Sequence, residues 1–452
     1  MKITFLGGVE EVTGSKYLIE HENKKILIDC GLFQGPKELR EHNWDKFPIE
    51  PSSINAIVLT HAHIDHTGYI PLLIKNGFSG KIYCSKATFT LCSILLIDCG
   101  LIQEEDAKNA NKYGHSSHKS ALPLYTVKDA ENSLNFFQVI DYDKTLNIDK
   151  SLSIKLIRSG HILGSSFVII SDGNKTITFS GDLGRPNQLI MKSPPHLKKT
   201  DYLVIESTYG DRLHEKTDPI KAIGDIINET VQKGGTLIIP AFAVGRTQTI
   251  LYCLYLLKQK KAIPNVPIFL DSPMAISVSD LLCQFKDEHK LSSDLCINIC
   301  SIATYTRTIE ESKQINNLST PAIIIAASGM GSGGRIIHHF KHFISDHKST
   351  ILFMGYQGEE TFGRSLIDGI KEIKIHGKMY PVNAEIKIID TLSAHADYNE
   401  ILEWLGYFEN NPKKIFITHG EIKAAESLKN KIEKRFKCNA VIPKYLESFE
   451  LD

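Results

Sequence analysis

The run HAHIDH at positions 61–66 constrains this chain more than any other feature of its sequence. It directly follows the apolar run INAIVLT, which predicts a buried strand. Because alternate residues of an extended chain point the same way, His61 and His63 can bind one metal ion. The turn that follows can carry Asp65 and His66 to a second ion. A single histidine among the 18 in the chain is usually a core or surface residue, but this cluster predicts a two-ion site.

Further acidic and imidazole side chains stand where other apolar runs end. Each is flanked by glycine or another small residue, which allows a metal ion or a substrate to approach closely. Strand ends are also where a rigid sheet presents functional groups. Any one of these residues alone is better interpreted as a core or turn residue, but with the 61–66 run they predict one site built from both ends of the chain. They are Asp29, His161, Asp182, Glu206, His395 and His419.

The pattern of predicted elements changes along the chain. The opening third alternates short β-rich runs with turns, such as the Asp-Gly-Asn hairpin in SFVIISDGNKTITFSGD. After YLVIEST, strand, loop and helix repeat, which predicts a mostly parallel sheet covered by helices. We therefore predict a first domain over residues 1–206, an inserted α/β domain over 207–381, and a return to the first domain over 382–452.

Two glycine-rich turns lie between a strand and a helix of the inserted segment. SGMGSGG precedes a helix predicted to begin near Arg335, and AFAVGRTQ is arranged in the same way. Their backbone N–H groups can cradle a phosphate, although tight-turn packing is the alternative for either loop and a solvated helix face for the arginines. The residues predicted to bind phosphate or RNA are Arg246, Ser328, Gly329, Gly331, Gly333, Arg335 and Arg364.

Charge and cysteine content restrict the class of protein. Lys+Arg and Asp+Glu both total 52, so no net positive field attracts a polyanion and any nucleic-acid contact has to come from a local patch. Nine cysteines without a CxxC pair suit a reducing compartment. No signal peptide is apparent, and no apolar run approaches membrane-spanning length. We therefore expect a cytoplasmic protein without a membrane partner.

The motifs resemble, in order along nearly the whole chain, those of the metallo-β-lactamase superfamily and, within it, the β-CASP RNA-processing nucleases. The chain looks especially like bacterial enzymes similar to the cleavage subunit of the eukaryotic mRNA 3′-end processing machinery. The resemblance implies a metallo-β-lactamase αββα sandwich with an inserted β-CASP α/β domain. The motifs are DCGLFQG, THAHIDHTG, GHILGSS, SGDLGR, ESTYGDR, PAFAVGRTQ, SGMGSGGR, LSAHAD and THGE.

The resemblance also implies roles for the strand-end residues. Asp182 would bridge two zinc ions, and Asp29 would orient the histidine ligands. Glu206 and His395 match the first and second motifs of the inserted domain. His419 matches the third, where a histidine is associated with RNA-acting members and a valine with DNA-repair members. Two zinc ligand sets are implied: His61, His63 and His161 for one ion, and Asp65, His66 and His419 for the other.

These roles imply a zinc-dependent ribonuclease that hydrolyses single-stranded RNA by a metal-bridging hydroxide. Because water attacks, the products would carry 5′-phosphate and 3′-OH ends. The catalytic residues would be Asp65, Asp182, Glu206 and His395, the last protonating the leaving oxygen. Endonuclease and 5′-to-3′ exonuclease action both stay open, as does a homodimer.

The sequence is also compatible with two other functions. The first is a metallo-hydrolase of a small thioester or lactone, because the same HxHxDH scaffold serves those reactions. The insertion of roughly 175 residues with phosphate-type loops argues against it. The second is a catalytically silent RNA-binding subunit, which the complete set of competent ligands disfavours.

Overall fold

Residues 1–113, 120–318 and 320–452 are described by a computed structural model, in which the chain forms two units. The first, here called the two-sheet unit, comprises Met1–Asn187, Lys192–Leu213 and His395–Asp452. The second, the parallel-sheet unit, comprises Gln188–Met191 and His214–Ala394.

The β-strands are, in chain order, β1 Lys2–Gly7, β2 Lys16–His21, β3 Lys24–Ile28, β4 Ala56–Val58, β5 Lys81–Cys84, β6 Phe137–Val139, β7 Thr145–Asn147, β8 Ser153–Arg158, β9 Ser166–Ser171, β10 Thr176–Phe179, β11 Tyr202–Glu206, β12 Leu237–Pro240, β13 Ile268–Leu270, β14 Thr304–Tyr305, β15 Ile323–Ala326, β16 Thr350–Met354, β17 Glu372–Ile375, β18 Lys378–Pro381, β19 Glu385–Ile389, β20 Lys414–Thr418, β21 Ala440–Val441 and β22 Ser448–Glu450.

The α-helices are α1 Lys37–Glu41, α2 Ile64–Thr67, α3 Ile70–Lys75, α4 Lys86–Tyr113, α5 Val127–Ser133, α6 Pro219–Gln232, α7 Arg246–Gln259, α8 Pro273–Gln284, α9 Ser293–Cys300, α10 Ile309–Ile315, α11 Ile336–Phe343, α12 Phe362–Ile367, α13 Tyr398–Leu405 and α14 Ile422–Phe436.

Two sheets of the two-sheet unit pack face to face, in the orders β22-β1-β2-β3-β4-β5-β6 and β21-β20-β11-β10-β9-β8-β7. Rings from the two sheets meet between them. The ring centroids of Phe5 and Phe416 lie 5.2 Å apart, and those of Tyr17 and Phe179 lie 5.8 Å apart. Residues at alternate positions of a strand face opposite sides, so the neighbours of Phe416 point away from this core.

Helices α13 and α14 cover the outer face of the second sheet. Ile415 and Ile417 flank Phe416 on β20 and are buried in a separate cluster that also holds Trp404 of α13 and Leu428 of α14. Strands β11 and β20 are therefore apolar on both faces, as a sheet covered on both sides requires. The predicted αββα sandwich is confirmed.

A fully parallel sheet forms the centre of the parallel-sheet unit. Its six strands have the order β14-β13-β15-β12-β16-β19, and every neighbouring pair runs parallel. Helices connect successive strands, which is why the isoleucine-rich run of β15 is buried at every position. The prediction of a mostly parallel sheet covered by helices is confirmed.

The last strand of this sheet lies beyond the predicted end of the inserted segment at residue 381. Glu385–Ile389 pairs in parallel with β16 along its whole length, from Thr350↔Glu385 to Met354↔Ile389. The chain re-enters the two-sheet unit at His395. The run EIKII has the composition of a strand in either unit, so only its pairing decides to which unit it belongs.

The expectation that no apolar run is long enough to span a membrane is wrong for helix α4. Its 28 residues are long and apolar enough by length and composition alone. The core helix of a folded unit meets the same criterion. The first half of α4 packs within the two-sheet unit, where Ala87, Leu91, Leu95 and Leu96 are buried.

Helix α14 allows the packing of the two-sheet unit to be tested. We expect Leu428→Ala to lower the free energy of unfolding by about 3 kcal/mol, because the buried side chain would leave a cavity. Ile422→Ala on the same helix is the control, since Ile422 is 45% exposed. It should cost less than about 0.5 kcal/mol. Urea unfolding followed by circular dichroism measures both, and equal losses would contradict the burial of this face.

Candidate metal centre

Loops that follow the strands of the two-sheet unit bring the predicted ligands around the buried carboxylate of Asp182. Its Oδ2 faces three histidines. The distance from Oδ2 is 3.3 Å to Nε2 of His61, 3.2 Å to Nε2 of His161 and 4.0 Å to Nδ1 of His63. These four side chains offer ligand atoms that all lie within 4.8 Å of one another, close enough to share one ion.

The other oxygen of Asp182 faces a second group of ligands. Its Oδ1 lies 3.3 Å from Nε2 of His66 and 3.6 Å from Nε2 of His419. Asp65 completes this group, with Oδ2 at 3.2 Å from Nε2 of His419 and 3.7 Å from Nε2 of His66. One carboxylate thus stands between two sets of three side chains.

Several donor atoms of this centre lack hydrogen-bond partners within the protein and are suited to bind metal ions instead. Nε2 of His66, Nε2 of His161 and Oδ1 of Asp182 are buried, and none has a hydrogen-bond partner among the described residues. Buried polar atoms are normally paired, and an unpaired set that converges from several loops is typical of a metal site. A set of imidazole nitrogens and carboxylate oxygens such as this one is suited to zinc.

The electrostatics of the centre favour neutral imidazoles on one side of Asp182. Burial and the neighbouring His61 lower the pKa of His63 to about 3, and burial also lowers the pKa of His161. Burial opposes ionisation of Asp182, but the surrounding histidines outweigh it and hold its pKa well below the usual value. A neutral imidazole and an ionised carboxylate are the forms that bind metal.

Asp29 and Thr60 orient two of the histidines. Asp29 accepts hydrogen bonds from the backbone N–H of Thr60 and from its hydroxyl, both at 2.7 Å, and from Nδ1 of His66 at 2.7 Å. The Thr60 hydroxyl lies 3.0 Å from Nδ1 of His61. Because Nδ1 is engaged in both rings, Nε2 is the atom each ring presents to the centre. The backbone of Asp29 has a φ of 57°, a left-handed conformation that these bonds hold in place.

His419 is held by the same kind of contacts at the end of β20. Its Nδ1 lies 3.1 Å from the hydroxyl of Thr208, so Nε2 faces Asp182. Its backbone N–H donates to the carbonyl of Gly8 at 2.7 Å, and its φ of 49° is again left-handed. Non-glycine residues in this region cost about 1–3 kcal/mol and are found mainly at functional sites.

His395 and Glu206 stand beside the two ligand sets. Nδ1 of His395 lies 3.0 Å and 3.2 Å from the two oxygens of Glu206, and 3.9 Å from Oδ2 of Asp182. Burial lowers the pKa of His395, but the carboxylates of Glu206 and Asp182 outweigh it and raise the pKa to about 9. Glu206 also accepts a 2.6 Å hydrogen bond from the N–H of Leu183, next to Asp182.

Three family profiles match the chain. The metallo-beta-lactamase superfamily matches residues 10–219, the Beta-Casp domain matches 247–366, and the Zn-dependent metallo-hydrolase RNA specificity domain matches 379–443. The chain belongs to the β-CASP family of the metallo-β-lactamase superfamily.

Relatives of known name match the β-CASP chain along most of its length. Ribonuclease TTHA0252 of Thermus thermophilus is 33% identical over 429 residues, which cover 93% of each chain. Transcription termination factor FttA of Methanosarcina mazei is 30% identical over 472 residues, covering 100% of this chain and 72% of that one. A solved structure of a protein of unknown function from Enterococcus faecalis V583 shares the fold, with a TM-score of 0.56, 14% identity and 99% of each chain covered.

The predicted phosphate-binding residues lie in the parallel-sheet unit, which carries the Beta-Casp match. The loop 328–334 joins β15 to α11, and a Cβ added at Gly329 would come within 2.6 Å of the ring of Phe242, so this loop abuts the 241–245 loop before α7. Arg246 begins α7, and its guanidinium lies near Gly355. Arg364 forms an exposed ion pair with Asp368.

Sequence reasoning missed the two threonines. Thr60 precedes the 61–66 run directly, and Thr208 follows Glu206 by two residues. A hydroxyl within two positions of a candidate site residue is therefore the signal that the sequence offers. Threonine is common at strand ends, so that signal is weak.

The Asp29 contacts can be tested in metal-free protein. We expect Asp29→Asn to lower the free energy of unfolding by about 3 kcal/mol, because the buried His66 would lose its carboxylate partner. Asp45→Asn is the control, since Asp45 contacts His42 through an exposed pair at 2.8 Å and its loss should have little effect. Urea unfolding with a chelator measures both variants. An Asp29→Asn protein as stable as the control would contradict the role of Asp29.

Proposed function

We propose that this β-CASP protein is a zinc-dependent ribonuclease that hydrolyses the phosphodiester bonds of single-stranded RNA. The observation that carries the proposal is the Asp182 carboxylate between two sets of three ligands, with His395 and Glu206 beside it. The names of the relatives support RNA as the substrate, since one is a ribonuclease and others are transcription termination factors. RNA as substrate agrees with a cytoplasmic location.

The donor atoms fit two zinc ions, each of which three side chains would hold, and Asp182 is near enough to both sets to serve as a further ligand. When bound, such a pair supplies a nucleophilic water at neutral pH and neutralises charge on the phosphate. The first set is His61, His63 and His161, and the second is Asp65, His66 and His419.

His395 is the proton donor of the reaction. Its Nδ1–H donates to the buried carboxylate of Glu206, so Nε2 is the atom left to hold a proton for the departing O3′. Glu206 keeps the ring in one orientation and stabilises its protonated form. Because water displaces O3′, the products carry a 5′-phosphate and a 3′-OH, and the 2′-OH of the RNA takes no part.

Backbone amides of the parallel-sheet unit bind the phosphates of the RNA. In the 328–334 loop, the N–H groups of Gly329, Met330, Gly333 and Gly334 donate to no acceptor among the residues the structure describes. They precede the N-terminus of α11, where a negative charge is favoured. Amides at a fixed spacing contact the phosphates of the RNA backbone and not its bases, so we expect little preference for RNA sequence.

Metal content tests the two ligand sets. We expect the wild-type protein to bind two zinc ions per chain and His161→Ala to retain about one, because three donors are needed to hold each ion firmly. The matched control is His196→Ala, an exposed histidine outside the centre, which should bind as much zinc as the wild type. Mass spectrometry of the intact protein and elemental analysis give the stoichiometry. Unchanged zinc in His161→Ala would contradict the assignment.

Cleavage of a 5′-labelled single-stranded RNA tests the proposed activity. We expect metal-dependent cleavage that is lost in Asp65→Ala together with one metal ion. His395→Ala should keep both ions while its rate falls by about 10²- to 10⁴-fold, the usual effect of losing a general acid. His196→Ala again serves as the control, and the fragment ladder distinguishes endonuclease from 5′-exonuclease action.

The outcomes of this assay also separate the alternative functions. Products with 2′,3′-cyclic phosphate ends would contradict hydrolysis by water. A zinc-loaded wild type that leaves RNA intact but hydrolyses a thioester or a lactone would be a small-ester hydrolase. RNA binding without cleavage of any substrate would indicate a catalytically silent subunit.

A further inference from the structure

Asp271 is the centre of a buried polar cluster in the parallel-sheet unit that includes Arg335. It directly follows β13, and its carboxylate is fully buried. Burial raises its pKa, but hydrogen bonds from His339 and its other partners outweigh burial and hold the pKa well below the usual value. The carboxylate accepts from four side chains: Thr306 Oγ1 at 2.6 Å, Ser312 Oγ at 2.5 Å, Arg335 Nη1 at 2.6 Å and His339 Nε2 at 2.7 Å.

These four partners come from three different segments. Thr306 follows β14, Ser312 lies in α10, and Arg335 and His339 lie at the N-cap and in the first turns of α11. One carboxylate therefore ties the start of α11 to the neighbouring strand end and helix. His339 is itself fixed from its other side, since Nδ1 lies 2.8 Å from the side-chain oxygen of Asn316.

The guanidinium of Arg335 donates hydrogen bonds to protein atoms of the parallel-sheet unit. Besides Asp271, Nη1 donates to the carbonyl of Thr306 at 3.2 Å and Nη2 donates to the carbonyl of Arg307 at 2.7 Å. A planar guanidinium with three such bonds has one orientation. Arg335 was predicted to bind phosphate, and in the structure its guanidinium makes three hydrogen bonds to protein atoms beside the α11 N-terminus.

The 328–334 loop depends on the position of this N-terminus. The N–H of Ile336 donates to the carbonyl of Ala327 at 3.2 Å, which closes the loop at its base. Gly334 has a φ of 72°, and a Cβ at this position would lie 2.6 Å from the Ala327 carbonyl oxygen. A shift of α11 would therefore change the spacing of the loop amides.

We propose that Asp271 is a positioning residue for RNA binding, which fixes Arg335 and His339 and thereby holds the amides of the 328–334 loop at the spacing of a phosphate. The inference rests on the proposed ribonuclease function and adds a residue to it. Asp271 itself does not touch the RNA. A buried carboxylate suits this task because its bonds to charged donors are strong and directional, whereas apolar packing would leave α11 free to slide.

Steady-state kinetics with two substrates tests the proposal on the full-length zinc-loaded protein. Asp271→Asn and Arg335→Lys are each expected to raise KM for a single-stranded RNA about tenfold with a much smaller change in kcat, because binding and not chemistry is affected. Turnover of bis(p-nitrophenyl) phosphate, a phosphodiester too small to need the loop, should stay within about twofold of the wild type.

Ser312→Ala is the matched control. It removes one hydrogen bond from Asp271 but leaves both contacts to α11, so KM for RNA should not change although the protein loses some stability. Arg335→Lys keeps the charge beside Asp271, which allows a folded variant to be measured if Asp271→Asn does not fold. A KM increase in Ser312→Ala as large as in Arg335→Lys would reduce Asp271 to a general stabilising residue and overturn the proposal.

Direct contact of Arg335 with RNA predicts different results. In that case Asp271→Asn would release Arg335 and leave KM unchanged or lowered, and Arg335→Met would reduce the slope of log KM against log salt concentration by about one. Either result overturns the positioning role. A wild type that turns over bis(p-nitrophenyl) phosphate but leaves RNA intact overturns the proposed function, whereas RNA cleavage with an unchanged KM in Arg335→Lys overturns this inference alone.

Discussion

The two-sheet unit is organised around one buried carboxylate among imidazoles. Asp182 lies within 3.3 Å of ring nitrogens of His61, His66 and His161, with almost no exposure to solvent. Several buried donor and acceptor atoms of this cluster have no hydrogen-bond partner among the described residues, which is unfavourable for folding. Metal cations in the centre would pair these atoms and remove that cost.

Hydrogen bonds from the surrounding structure hold the ligand side chains and their backbone in one conformation. Asp29 and His419 both adopt left-handed backbone conformations, and both are anchored by hydrogen bonds to neighbouring strand ends. Thr60 and Thr208 each engage Nδ1 of a histidine, so Nε2 points inward before any ion arrives. The ligands are thus preorganised by strands that have a hydrophobic cluster on each face of the second sheet.

The candidate ligands and the parallel sheet of the inserted segment could be predicted from local features, whereas the αββα sandwich followed from the resemblance of the motifs to a known family. Metal chemistry restricts ligands to a few residue types, and their places after apolar runs such as the one before His61 are visible in the sequence. What could not be predicted depends on tertiary contacts. Thr60 gains its role only from its distance to the His61 ring, and the edge strand Glu385–Ile389 belongs to its sheet only through pairing with β16. Helix α4 has the composition of a membrane span, yet its first half is packed in a protein core.

Arg335 shows why an arginine beside a glycine-rich loop is an ambiguous signal. A guanidinium at a helix N-terminus can bind a phosphate or a protein carboxylate, and the local sequence is the same in both cases. Here the deciding residue is Asp271, 64 positions away, whose buried charge has to be balanced. In the proposed role, Asp271 holds Arg335, and the loop presents its backbone amides and the end of α11 to a phosphate. The proposal therefore explains how a chain with 52 charges of each sign would bind a polyanion, with oriented peptide dipoles adding to its local basic side chains.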